Sequence, residues 1–197
     1  MLALLAANGL PLVGVFIFHW EVFPLLLLFW SENVIVGFFN ALKMICAAPD
    51  QGFQRGLKVF FVPFFCFHYG MFTFVHGVFV VALFGGGIRA GSSLPSAETF
   101  ISAVRENQLS WAVLGLLASH ALSFTHNYVI NGEFRRSTVE GLMLQPYGRI
   151  AVLHLTVLFG GFLVLALKSP AIGLALLVVL KTSLDLAAHL RERAKFA

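Results

Sequence analysis

FFVPFFCFHYGMFTFVHGVFVV, residues 60 to 81, is an apolar run without a formal charge that carries two histidines. About 20 apolar residues at 1.5 Å rise span the ~30 Å hydrocarbon core of a bilayer, and this run meets that length. An imidazole in hydrocarbon needs a partner, so the run implies other helices facing it. His68 and His76 lie eight residues apart, roughly 12 Å along a helix axis, so they do not hold one ion between them. Each has to find neighbours on other segments.

Composition agrees with that reading. Of 197 residues, 59% are hydrophobic, 11% charged and 22 are phenylalanine. Soluble domains average about 25% charged residues. The expected class is therefore all-α, a polytopic membrane protein forming a six-transmembrane-helix bundle with short interfacial helices, residues 1–197 making one integral membrane domain. The formal charge of +4 does not point to nucleic acid, because the basic residues sit singly or in pairs at the ends of apolar runs. Cys46 and Cys66 are the only cysteines, which argues against a disulfide framework. The opening MLALLAANGL lacks a basic n-region and a clear cleavage site, and reads as the start of a retained helix.

Six apolar segments are marked, near 2–19, 22–46, 57–84, 108–131, 149–168 and 170–190. With a cytoplasmic N-terminus, Lys43, Arg55, Lys58, Arg135, Arg136, Arg149, Arg191, Arg193 and Lys195 all fall inside, against Arg89, Arg105 and Lys168 outside. That bias predicts both termini cytoplasmic. The outer connection leads through Pro95 into SAETFISAVREN, where Phe100, Ile101 and Val104 recur at helical spacing, a short helix over the outer mouth. The inner connection, GEFRRSTVEGLMLQPYGR, mixes Phe134, Leu142 and Met143 with arginines and reads as interfacial. Gly70 and Gly77 read as close-packing sites.

Ionisable groups at membrane depth are expensive and usually face a bundle interior. On the second segment Glu32, Asn33, Asn40 and Lys43 fall within about 100° of one another. On the fourth, Ser119, His120, Ser123, His126, Asn127 and Asn131 share an arc of about 140°. The fifth carries His154, and the sixth Lys181, Asp185 and His189 at i, i+4 steps. Counted from the cytoplasmic ends, Glu32, His68, His120 and Lys181 lie about 14 to 20 Å deep; His126, His154 and Asp185 lie about 8 to 9 Å deep. A carboxylate with two histidines suits zinc or non-haem iron, so each layer offers a trio: Glu32, His68 and His120, or His126, His154 and Asp185. Beside this stand blander readings. Lys181 and Asp185 make a self-neutralising pair, and Ser119 and Ser123 bond between helices.

The strings FWSENVIVGFFNALKM (29–44), FHYGMFTFVHGVF (67–79), GEFRRSTVEGLMLQPYGRIAVLH (132–154) and LKTSLDLAAH (180–189) resemble a family of small bacterial inner-membrane proteins known only as a domain of unknown function. The resemblance covers nearly the whole chain and implies a bacterial inner-membrane location, with Glu32, His68, His120, His154, Lys181 and Asp185 as its intramembrane polar positions. It carries no activity with it.

The leading expectation is an intramembrane metal-binding protein, with zinc as the metal, acting as a hydrolase on a lipid-like substrate. A metal-bound water would be the nucleophile, Glu32 or Asp185 the base, and Asn33 or Lys181 the oxyanion partner. The alternatives are a proton or metal-ion transporter built on the same buried groups, and a haem-binding electron carrier with His68 and His120 as axial ligands. Expected partners are the lipid bilayer, a metal ion and, as an open option, a second copy of the chain in a homodimer.

Overall fold

The computed structural model describes residues 21–48, 52–85, 94–148, 150, 151, 154 and 155. Every regular element among them is helical. In chain order they are α1 (Val22–Cys46), α2 (Gly52–Phe84), α3 (Ala97–Glu106), α4 (Ser110–Ser123), a π-helical turn (Phe124–Ile130), a 3₁₀ turn (Glu133–Arg135) and α5 (Val139–Leu144). α1 and α2 are long and apolar enough to cross a membrane. The segments expected at 22–46, 57–84 and 108–131 correspond to α1, α2 and α4 with its π turn. Those expected at 2–19 and 170–190, with most of 149–168, lie outside the described residues.

The chain forms two compact units. One contains Leu27–Val78 and Leu94–Ala151, and the site discussed below lies within it. The other takes in Phe79–Ser93 and both terminal portions of the chain; there the Phe23 ring lies where a Cβ on Gly85 would stand, 2.8 Å away.

α1 is the axis of the larger unit. Trp30, Asn33 and Gly37 fall on one side by the 3.6-residue period and meet α2, which runs antiparallel. The Trp30 indole N–H donates to the Thr73 carbonyl at 2.7 Å, and the Tyr69 hydroxyl to the Asn33 carbonyl at 3.1 Å. Tyr69 gets that close because Gly37 has no side chain; a Cβ there would collide with the edge of the tyrosine ring. Glu32, Phe39 and Lys43 lie on the other side and meet α4, which runs parallel to α1. Phe39 packs on Phe124, ring centroids 5.8 Å apart, and Lys43 sits 5.5 Å from the centre of the Tyr128 ring.

α3 is the short helix the sequence predicts after Pro95. Ser96 caps it by accepting from the Thr99 amide at 3.4 Å while the Thr99 hydroxyl accepts from the Ser96 amide at 3.2 Å. Its buried residue, Phe100, stacks on Trp30 at 4.4 Å. The helix ends in a paired turn, Leu109 N–H to Val104 O and Gln108 N–H to Arg105 O, with Gln108 left-handed at φ 57°. Left-handed backbone costs a side-chain-bearing residue about 1–2 kcal/mol. Gln108→Gly is therefore expected to stabilise the protein by about 1 kcal/mol, read as a raised Tm in detergent.

The inner connection departs from expectation. It does not simply lie along an interface: Val139 and Leu142 are buried with Met44, Ala47, Phe65, Tyr69, Tyr128 and Ile150. The last carbonyls of a helix have no intrahelical partner. Here the Lys43 carbonyl accepts from the Tyr128 hydroxyl at 2.7 Å, and the Ile45 carbonyl from the Lys58 ammonium at 2.8 Å. The Asn40 amide donates to the Leu142 carbonyl at 2.8 Å, and the Ala48 amide to that of Phe134 at 2.9 Å. The connection thus folds into a cap on the end of α1.

Candidate functional site

Glu32 and His120 are the ionisable pair the fold assembles. Two parallel helices, α1 and α4, place the carboxylate oxygen 3.9 Å from the imidazole Nε2. The Glu32 side chain is 23% exposed and that of His120 28%, so the pair is sheltered yet reachable by a proton carrier. Phe39, buried, stacks on the His120 ring, centroids 6.3 Å apart.

His120 also lines a cavity of about 280 Å³, together with Asn40, Lys43, Ser123, Gln145 and Pro146. Lys43 lies eleven residues beyond Glu32 on α1, about 16 Å along the axis. The cavity therefore runs from the pair toward the end of α1 that carries Lys43. Below His120 the backbone leaves the α-helical pattern for a π turn, whose wider winding is frequent at functional sites. In that turn the Asn127 side-chain amide donates to the Ser123 hydroxyl at 3.2 Å, and His126 Nδ1 meets Asn127 Oδ1 at 3.2 Å. His126 itself is exposed. Gly132, left-handed at φ 73°, closes the helix.

His68 does not join this pair. Its Nδ1 lies 2.7 Å from the Tyr147 hydroxyl, and its ring packs between Phe64 and Phe72, one turn away on either side, at 5.3 and 5.0 Å. Burial pushes the Tyr147 phenol above its ordinary pKa, which keeps it protonated beside the imidazole. His76 is fully buried; its Nδ1–H donates to the Phe72 carbonyl at 2.5 Å, which leaves Nε2 without the proton in the neutral ring. Asn33, also buried, donates to the Phe29 carbonyl at 2.8 Å.

The expected central trio is thus divided between two places. Among the described residues no three His, Cys, Asp or Glu side chains converge as metal ligands would. Of the inner trio, His126 bonds its own neighbour, His154 belongs to the other compact unit, and Asp185, like Lys181, lies outside the described residues. The residues not singled out from the sequence are Tyr147 and Gln145, both on the folded inner connection. The PYGR string was the available sign, a turn that brings a phenol back to the ends of the long helices.

No curated protein and no solved structure matches this chain. A family match does exist, and it spans residues 1–197. The chain belongs to the family of unknown function DUF6498.

Proposed function

We propose that this is a six-span protein of the bacterial inner membrane, with both ends cytoplasmic, that carries protons through a site built on Glu32 and His120. The membrane placement is supported by the surface of α2. Only 28% of its best membrane-length window is buried, and Phe60, Phe64, Phe67 and Met71 are exposed, where the core helix of a soluble protein would be covered. Orientation is supported by charge. Lys43, Lys58, Arg135 and Arg136 gather where the inner connection caps α1, and positive charge collects on the cytoplasmic side.

The observation that carries the proton reading is the 3.9 Å pair, whose His120 lines a cavity that Asn40, Lys43, Ser123 and Gln145 also line. One proton has two resting places there, on the Glu32 carboxyl or on the His120 imidazole. Passing the proton on requires a carrier within hydrogen-bond reach or one water away, which the cavity walls of Ser123, Asn40 and Gln145 can orient. The test is purified protein in liposomes with a trapped pH-sensitive dye and an imposed pH gradient. Dissipation faster than in protein-free liposomes is expected; equal rates would overturn the proposal.

The same pair also favours a second reading, since a carboxylate oxygen and an imidazole nitrogen side by side are two of the three protein ligands a catalytic zinc needs. That reading requires a third protein ligand. A stoichiometric metal that co-purifies with the wild type and is lost in Glu32→Gln would move the conclusion to the zinc-dependent hydrolase.

A further inference from the structure

We infer that the face of α1 turned away from Glu32 forms a groove for one acyl chain of an anionic membrane lipid, with the headgroup held at Arg105. A cavity of about 880 Å³ lies between α1, α2, α3 and the start of α4, within the ~300–1,000 Å³ typical of ligand pockets. Its walls include Trp30, Phe38, Phe74, Phe100, Ile101 and Leu114. Phe38, Phe74, Ile101 and Leu114 are exposed large hydrophobics, an arrangement that suits an apolar occupant.

Length and charge select the occupant. Along α1 the groove extends from Trp30 to Ala41, eleven residue steps. That is about 16 Å, close to half of a ~30 Å hydrocarbon core and so to the chain region of one leaflet. Arg105 is the one charged residue in the lining, and Ser110 stands near it where α3 gives way to α4. Arg105 makes no ion pair among the described residues. An apolar trough with a guanidinium at one end matches a phosphate headgroup with its chain laid inward, because guanidinium offers forked donors to phosphate oxygens. The Trp30–Phe100 stack and the Trp30 bond to Thr73 hold the wall in place without ligand.

This inference rests on the membrane placement, which alkaline extraction of membranes tests separately. It does not rest on proton carriage, because the groove and Glu32 occupy opposite sides of α1.

The experiment uses the full chain in nanodiscs containing either phosphatidylglycerol or phosphatidylcholine, each with a photoactivatable group in the same acyl chain, and maps adducts by mass spectrometry. Adducts are expected to concentrate on residues 34–41 and 65–74. Phosphatidylglycerol should exceed phosphatidylcholine there by about fivefold, the scale of one basic residue's attraction to an anionic lipid surface. Arg105→Gln should erase the preference and keep the adducts. Gly70 lines the groove and has nothing within 4 Å of an added Cβ, so the side chain of Gly70→Phe starts in open space and serves as a plug for the trough. It should remove the groove adducts and leave those on exposed Phe60 and Phe67; Ile101→Trp, from the opposite wall, should do the same. Adducts spread evenly over exposed α2 residues, adducts indifferent to both plugs, or equal labelling by the two lipids in the wild type would each overturn the inference.

Discussion

Glu32→Gln is expected to bring proton dissipation down to the rate of protein-free liposomes. The amide keeps the size of the carboxyl and much of its hydrogen bonding, so helix packing is retained while the proton's resting place is lost. Glu32→Asp tests whether the loss is chemical. The shorter side chain retreats from His120 by about one carbon–carbon bond, which a bridging water spans, so a measurable fraction of the flux should return. His120→Ala should slow the flux without abolishing it, since the carboxyl, the proton's other resting place, is kept. Full activity in a well-folded Glu32→Gln would remove the carboxylate from the mechanism, and none in a well-folded Glu32→Asp would remove the bridging water. Circular dichroism and monodisperse elution serve as the folding control for each variant.

Gly77→Ala is expected to be among the most damaging single-methyl additions in the larger unit. A Cβ at this position would stand 2.7 Å from two atoms of the Trp30 indole and 2.9 Å from the Phe100 ring. Neither ring is the free end of a flexible chain: they stack on one another, and the indole N–H is bonded to Thr73. Forcing a methyl into such a contact costs about 1–3 kcal/mol. If Trp30 yields, its N–H leaves the Thr73 carbonyl and about 1–3 kcal/mol more is lost. Gly70→Ala, seven residues earlier on the same helix, meets nothing within 4 Å and should be neutral or slightly stabilising. Resistance to unfolding by graded SDS in mixed micelles separates the two. Equal behaviour of the two variants would mean that the Trp30 contact does not hold α1 and α2 together.

The two glycines also illustrate what reads directly from a chain. Both look like close-packing positions by residue type, yet only Gly77 touches another helix, because small size permits an approach without causing one. Helix positions were legible for a stronger reason. Long apolar runs bounded by charge or turn residues leave few other ways to satisfy the backbone, so α1, α2 and α4 lie where the sequence puts them. The pairing of Glu32 with His120 was legible in part, since matched depth and a shared polar arc bring the two residues to one level. The placement of His68 was not. Depth fixes height along a helix but leaves its direction open, and Tyr147, which meets His68, comes from a connection that reads as interfacial until it is folded.

By itself the sequence determined the helical class, the approximate extent of the described long helices and the short helix after Pro95, because hydropathy and spacing act over a few residues. Only the tertiary structure decided which histidine stands beside Glu32, that the inner connection is a buried cap, and that opposite sides of α1 face a cavity of mixed polarity and an apolar groove. Those outcomes depend on how each helix is rotated against its neighbours, and rotation is set by side chains far apart in the chain, Gly37 against Tyr69 and Gly77 against Trp30 above all.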